Sequence, residues 1–301
     1  MSKYKKALLF YNDKSGQSDS VSQIKLIQEH FTQRNINLTV ETIPKPTDEI
    51  QTIITKAKQD HVDLIIAAGG DGSVSMIASP LVKIKLPLGI LPIGTGNLLS
   101  KEINIPQKLE LALEVLTDDE SQIHSIDVFE VQNRYYVLNI SAGISSKVMK
   151  TTNSSEKKML GVFAYLFHFI QQLLGLKLLR FEIDHDGFKS SYLASEVLVT
   201  NGRLVAIEPL EWDEDVSLND GKLDLFIIRA VSFVDIVGFV ISIFSKRTWQ
   251  NPIVKYIQFE DYCRIATKEP IPAQADGDSI GKTPLEIRVV PNALSIIVPK
   301  N

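Results

Sequence analysis

The chain has 301 residues, 44% of them hydrophobic and 23% charged, with a formal net charge of -4. That length and apolar content allow two ordinary packed domains and exclude disorder as a description of the whole chain. The charge balance leaves no global basic field, which excludes nucleic acid as the expected partner.

A single cysteine, Cys263, cannot form an internal disulfide. It reads as a small buried apolar residue in a protein of a reducing compartment. The start "MSKYKKALLFYND" has a basic flank, but its apolar part is too short for a signal peptide. The most apolar later segments are "MLGVFAYLFHFIQQLLGL" and "VSFVDIVGFVISIF". Both carry polar interruptions (His168, Gln171 and Gln172; Asp235) and fall short of the about 20 clean residues of a bilayer span. The expectation is a soluble, cytoplasmic protein.

In chain order, "KALLFYN" reads as a strand, and residues 18–34 as a helix with Val21, Ile24, Ile27 and Phe31 at helical spacing. The strand "NLTVETI" follows, then a helix from near Thr47, capped by Thr47 or Asp48, with Ile50, Ile53, Ile54 and Ala57 on one face. Next come the strand "DLIIAA", a short helix after Ser73, the strand "LPLGILPI" and helices after Thr95 and Gln107. This alternation predicts an α/β domain over residues 1–122, a parallel sheet with helices on both faces.

From residue 123 to 301 the pattern predicts a mainly antiparallel, β-rich domain with the two apolar segments inserted as helices. Residues 123–145 read as strands with a turn at Gln132 to Arg134. "RFEIDHDGFKSSYL" alternates around Asp186-Gly187, the strongest short hairpin signal. "SEVLVTNG", "KLDLFIIRA", "YCRIAT" and "LEIRVVPNALSIIVP" are further strands. No internal repeat or low-complexity linker is present.

The loops after the C-terminal ends of parallel strands gather on one edge, where such folds bind ligands. Three of them bear glycine here: "NDKSGQ" after the first strand, "GGDGS" after the third and "GTGN" after the fourth. Glycine lets backbone approach a ligand closely, and a helix N-terminus offers unpaired N–H groups. Together these features make a phosphate cradle. An aspartate inside it, Asp71, would repel a bare phosphate but fits if it holds magnesium against the phosphate oxygens. The plainer alternative is a strand-to-helix turn with Asp71 as its N-cap. Neither the Walker A lysine motif nor the nicotinamide glycine fingerprint occurs. The pattern therefore points to phosphoryl transfer on a less common scaffold, with catalysis by positioning and charge neutralisation.

These segments resemble the diacylglycerol kinase catalytic-domain family, which includes bacterial lipid kinases, sphingosine kinases and ceramide kinases. "NDKSG" is similar to the family's Asn-Pro-x-Ser-Gly, "GGDGS" to its Gly-Gly-Asp-Gly-Thr and "LPIGTGNLLSKEINIP" to its Pro-x-Gly-Thr-x-Asn segment. Further on, "LNISAGI", "LNDGKLDLFII" and "PAQADGD" resemble its Asn-x-x-x-Gly, Asp-Gly-x-Leu-Asp and Asp-Gly-Glu motifs. The resemblance implies an ATP-binding first domain, a β-rich second domain and an active site in the cleft between them. It places nucleotide contacts at Asn12, Asp13, Lys14, Ser15, Gly16 and Thr42. It adds Gly69, Gly70, Asp71, Gly72, Ser73, Val74, Ser75 and Met76, then Gly94, Thr95 and Asn97. Asp71 and Asp127 would join a magnesium and water network. A second, structural magnesium would take the Asp220 side chain with backbone carbonyls of Ser217 and Lys222. Asp278 stands where the family has its catalytic glutamate, with Asp276 the next candidate. The chain departs from the pattern at Asp13 (proline), Met76 (glutamate in many members), Leu98 (aspartate in many) and Asp278, one methylene short.

The implied partner is a membrane lipid substrate such as diacylglycerol, with ATP and Mg2+ as cofactors and a homodimer left open. Peripheral contact with the inner face of the membrane is an expectation for the Met159–Leu176 segment, with Phe163, Leu166, Phe167, Ile170 and Leu174 at core spacing and Lys157, Lys158, Lys177 and Arg180 beside it. A buried helix is the plainer reading of that segment. As a lone aspartate Asp127 would be a solvated turn residue, and "LNDGKLD" alone could be a hairpin turn. His30, His61, His124, His168 and His185 show no zinc-ligand spacing. The rival readings are an NAD kinase, which shares the Gly-Gly-Asp-Gly loop, a phosphofructokinase, and a nucleotide-binding module without catalysis.

Overall fold

The computed structural model describes residues 3–13, 20–44, 49–143, 178–203, 216–245 and 247–300. Lys14, Ser15, Gly16, Thr47, Asp48 and the Met159–Leu176 segment lie outside the described residues. The chain divides into two compact units. One comprises Met1–Val128, Arg134–Val137 and Pro291–Asn301, the other Phe129–Asn133 and Leu138–Val290.

The first unit opens β1 (Lys6–Tyr11), α1 (Ser20–Gln33), β2 (Asn37–Thr42), α2 (Glu49–Gln59), β3 (Leu64–Gly69), α3 (Asp71–Ile84), β4 (Leu88–Pro92), α4 (Leu98–Glu102) and α5 (Leu109–Thr117). Its strands pair in parallel in the order β2-β1-β3-β4. All six residues of β3 are buried, as a central parallel strand covered on both faces requires. From β1 the chain moves outward to β2, then crosses back to β3 on the other side. The order therefore reverses between β1 and β3, and their C-terminal ends flank the crevice where such sheets bind ligands.

The helices bury the faces their periodicity predicts. Ile27 and Phe31 of α1 and Ile50, Ile54 and Ala57 of α2 are buried, whereas Val21, in the first turn of α1, is exposed. The third helix is not the short one expected after Ser73. It starts at Asp71 and runs 14 residues, through Pro80. Proline normally ends a helix; here burial of Ile77, Ala78, Leu81 and Val82 around it carries the helix onward.

The remaining strands are β5 (Gln122–Val131), β6 (Arg134–Tyr136), β7 (Asn139–Gly143), β8 (Leu179–His185), β9 (Phe188–Ala194), β10 (Glu196–Thr200), β11 (Leu223–Ile228), β12 (Val254–Phe259), β13 (Tyr262–Thr267), β14 (Pro272–Ala275), β15 (Asp278–Lys282) and β16 (Leu285–Val298), with α6 (Phe233–Phe244) between β11 and β12. Within the second unit β12-β11-β10-β7-β14-β15 form one antiparallel sheet, and β8 pairs antiparallel with both β9 and β13. The unit is an antiparallel β sandwich.

Two-residue turns set the register of the hairpins. Gln132-Asn133, Asp186-Gly187 and Asp276-Gly277 each place both central residues at positive φ, the mirror-image turn whose twist suits paired strands. Strand β16 changes character midway. Leu285–Val289 alternates buried and exposed, while Ala293–Val298 is almost wholly buried. The first stretch pairs antiparallel with β13, and Ile296 pairs in parallel with Leu88 of β4. The change falls at Pro291 and Asn292, where the chain returns to the first unit and Asn292 takes a positive φ of 49°.

Candidate functional site

The loops at the β1/β3 reversal are tied to each other. The backbone N–H of Asn12 donates to Ala68 O at 2.9 Å, and its side-chain Nδ2 donates to Ser73 Oγ at 2.7 Å. A Cβ on Gly69 would lie 2.5 Å from Ser73 Cβ, so no other residue lets α3 turn this tightly out of β3. Thr42 ends β2 in register with Tyr11, beside the same edge, and is exposed, as is Asp13.

The second and third loops meet backbone to backbone. A Cβ on Gly94 would collide with Gly70 Cα, and it would also come within 2.8 Å of Gly70 N and of Asn97 Oδ1. Gly70 is the extended N-cap of α3 and brings no side chain to it. Ser73 N and Val74 N both donate to Gly70 O. The N–H groups before them have no acceptor within any α-helix, and a Cβ on Gly72 would meet nothing within 4 Å. The start of α3 is therefore sterically open on that side. Thr95 is exposed and Met76 half-buried, while Ser73, Val74 and Ser75 are buried.

Asp71 lies in the first turn of α3. Its Oδ1 accepts from Leu99 N at 3.3 Å, and a Cβ on Gly96 would approach its Oδ2 to 2.8 Å. Gly96 was not among the expected contacts, yet the space beside this carboxylate depends on it. Asn97 is buried at φ 54° and is spent on its own loop. Its Oδ1 accepts from Gly94 N at 3.1 Å, while Nδ2 contacts Gly94 O, Pro92 O and Gln107 Oε1. Gln107 is in turn anchored on Ser100 Oγ and Ile105 O. Asn97 shapes the loop from within, and Gln107 is a supporting residue that no motif marked. The crease where these loops meet is lined by Gly69, Gly70, Asp71 and Asn97 together with the apolar Val74, Ile90 and Leu99, and it is too narrow to enclose a ligand.

Asp127 is a fully buried strand residue of β5, not a solvated turn residue. Its Oδ1 accepts from Asn292 N at 2.7 Å, stitching β5 to the bend in β16. In the second unit, Asp276 is buried and its Oδ1 accepts from both Leu138 N and Asn139 N at 2.9 Å. Asp278, just past the turn, is exposed. Asp220 is exposed in a local turn, its Oδ1 accepting from Lys222 N at 3.0 Å, with Gly221 at φ 76°. Ser217 Oγ donates to Asn219 Oδ1, and Lys222 Nζ lies 3.1 Å from Glu260.

Among the described residues, no group of three His, Cys, Asp or Glu is arranged to hold a metal ion. Mg2+ is commonly bound through one or two carboxylates and completes its shell with water and substrate phosphate. Asp71 supplies such a carboxylate beside an open helix start. Asp220 supplies a hard oxygen donor in a turn whose other donors would be backbone carbonyls.

Three comparisons bear on identity. The family model of the diacylglycerol kinase catalytic domain matches residues 6–131, and that of the YegS C-terminal NAD kinase beta sandwich-like domain matches 138–298. A Synechocystis protein named "Uncharacterized protein sll0036" is 28% identical, over 99% of this chain and 71% of its own. A Staphylococcus aureus JH9 protein named "Putative lipid kinase SaurJH9_0749" is 27% identical, over 98% and 97% of the two chains. A crystal structure of a diacylglycerol kinase from Bacillus anthracis superposes with a TM-score of 0.81 at 23% identity, over 99% and 98% of the chains, and so shares the fold. With one family model covering the glycine loops and the other the β sandwich, the chain belongs to the diacylglycerol kinase catalytic-domain family, with a YegS-type second half.

Proposed function

We propose that the protein is an ATP-dependent kinase that moves the γ-phosphate to a hydroxyl of a membrane lipid such as diacylglycerol. The observation that carries this reading is the contact of Gly70 with Gly94, which leaves the first turn of α3 open beside the Asp71 carboxylate. Open N–H groups and a glycine-bare approach suit a polyphosphate, and the printed names of lipid and diacylglycerol kinases among its relatives and structural neighbours supply the acceptor class.

In this reading Asn12, Gly70, Gly72 and Thr95 position the phosphate chain and Thr42 lies on the nucleoside side. Asp71 holds magnesium, which would neutralise charge on the phosphate oxygens when bound. Asp278 takes the proton from the lipid hydroxyl. The alternative base, Asp276, is already engaged with two backbone N–H groups. A base needs reach toward substrate, and Asp278 is the exposed one of the pair.

No described helix is long and apolar enough to cross a membrane. The test is purified protein with labelled ATP, magnesium and a panel of lipids in mixed micelles, with NAD as a separate acceptor because the second half matches an NAD kinase-like sandwich. Label in an organic-extractable product is the expected result. Label on NAD alone would replace the lipid reading, and no turnover with any acceptor would favour a binding module.

A further inference from the structure

Helix α6 is apolar on two opposite sides. Phe239 and Ile243 point inward, to a cluster with Val216 and Phe226. About half a turn away round the axis, Val234, Val237 and Ile241 are 76%, 40% and 60% exposed, and Val231, just before the helix, is 54% exposed. A surface helix ordinarily places polar residues on its solvent face, and scattered exposed apolar residues need no explanation. These are not scattered. Among the described residues, four of the nine large hydrophobics that are exposed fall between Val231 and Ile241. A Cβ on Gly238 would meet nothing within 4 Å, so among the described residues no packed group fills the space there.

The surroundings are basic although the chain is acidic. Residues 229–255 hold Arg229, Lys246, Arg247 and Lys255 against one acid, Asp235. Asp235 closes the capping box at the start of α6, accepting from the Val231 and Ser232 N–H groups. Arg229 and Arg247 are exposed, and their backbones are fixed by bonds to Ile253 O and Ser242 O. They bracket the helix in the sequence.

We propose that α6 is a membrane-docking helix, which lies in the headgroup region of an anionic bilayer with Val234, Val237 and Ile241 inserted and Arg229, Arg247 and Lys255 on lipid phosphates. A helix with an apolar outer face and basic flanks binds in this way. A second copy of the chain is the poorer occupant, since a two-fold contact pairs one margin of the helix with the other and both margins are basic. The inference rests on the lipid-kinase reading for its purpose, not for its test.

The experiment is flotation of the full chain with vesicles of phosphatidylcholine, with and without phosphatidylglycerol. Wild type is expected to float with the anionic vesicles. Val234→Asp with Ile241→Asp should weaken binding by about tenfold or more, with an unchanged melting temperature and unchanged turnover of a short-chain diacylglycerol presented as monomers. Arg229→Glu with Arg247→Glu, which leaves the apolar stripe alone, should weaken binding to anionic vesicles by on the order of tenfold and hardly alter the weak binding to neutral ones. This second pair decides the matter if the aspartates disturb folding. Wild type that fails to float, or both pairs binding like wild type, overturns the proposal. So does a wild-type dimer that the aspartates dissociate, which would assign the stripe to a second copy. Flotation without any lipid phosphorylation would refute the kinase reading and leave the docking helix standing.

Discussion

The dipeptide Asp-Gly occurs four times, at 71–72, 186–187, 220–221 and 276–277, and the first unit uses it differently from the second. In the second unit all three glycines sit at positive φ, 86°, 76° and 89°, and all three carboxylates hold backbone N–H groups within that unit, Asp220 in its own turn and Asp186 and Asp276 in distant segments. In the first unit neither residue of the pair is at positive φ; together they begin α3, and the carboxylate reaches across to the neighbouring loop. What differs is the preceding chain. A fully buried parallel strand ending in two glycines delivers Asp71 into a helix, whereas the half-exposed β8 and the short β14, both antiparallel, deliver Asp186 and Asp276 into turns. The same two residues can thus be chemistry or carpentry, and the way to separate the roles is to change each carboxylate by itself.

The sharpest separation lies within one turn, between Asp276 and Asp278. Asp278→Asn is expected to lower kcat by about 10² to 10⁴, the usual loss for a general base, with little change in melting temperature or ATP affinity. Asp276→Ala removes the acceptor of two backbone N–H groups and should cost about 1–3 kcal/mol of stability, read as a lower denaturant midpoint. Near-normal kcat in Asp278→Asn would place the base elsewhere. Asp278→Glu restores the family's longer side chain and should keep substantial activity if the site accommodates one more methylene.

Next in size is Asp71, the one carboxylate of the four that stands at a helix start rather than in a turn. Asp71→Asn should lower turnover by at least about tenfold, equivalent to ~1.4 kcal/mol, and weaken magnesium-dependent nucleotide binding, since a neutral amide is a poor ligand for a hard cation. Its melting temperature without ligand should stay near wild type, because the Asn oxygen can still accept from Leu99 N. Turnover within about threefold of wild type, roughly 0.65 kcal/mol, would make Asp71 part of the scaffold like its three counterparts.

How far the sequence reveals these roles depends on the reach of the interactions. Periodicity places β1 through α2 within a residue or two, and the two halves of β16 show in "LEIRVV" against "ALSIIV". Asp186-Gly187 is legible as a turn because turn chemistry is local. Asp127 is not legible. Its acceptor role depends on Asn292, 165 positions away, so nothing near it in the chain distinguishes a buried strand carboxylate from a solvated one. Asn97 is legible only in part: the motif marks the residue, while the bonds of its amide to Gly94 and Gln107 appear only in the fold. Strands β14 and β15 escape notice because they are short and "PAQADGDSIGK" carries little β-branched or aromatic character.

A smaller effect is expected at Asp220. If magnesium binds there in the folded state alone, melting temperature should rise with the logarithm of magnesium concentration near saturation, without nucleotide. Asp220→Ala should remove that rise and leave the melting temperature in chelator unchanged within a degree or so, because exposed turn substitutions commonly cost under about 0.5 kcal/mol. A wild type indifferent to magnesium would return Asp220 to the ordinary role of its turn.

The smallest effect is at Asp186, and it carries a sign. Partial burial pushes its carboxyl upward, but the backbone N–H groups of Tyr262, Glu260 and Asp261 outweigh that and hold it below the ordinary value of 3.8. These bonds, at 2.9 to 3.1 Å, tie the β8–β9 turn to the connection between β12 and β13. Since the folded value lies below the unfolded one, the stabilisation is whole above about pH 4. It is lost as pH falls through the depressed folded value. The difference in unfolding free energy between wild type and Asp186→Asn should therefore be constant from neutral pH to about pH 5 and shrink below about pH 4. The group is exposed, so solvent screening keeps the difference small. Denaturant titrations at closely spaced acid pH values would measure it. A difference that grows on acidification would mean that the carboxylate is not stabilised by those three N–H groups, and the turn would then be held by its backbone alone.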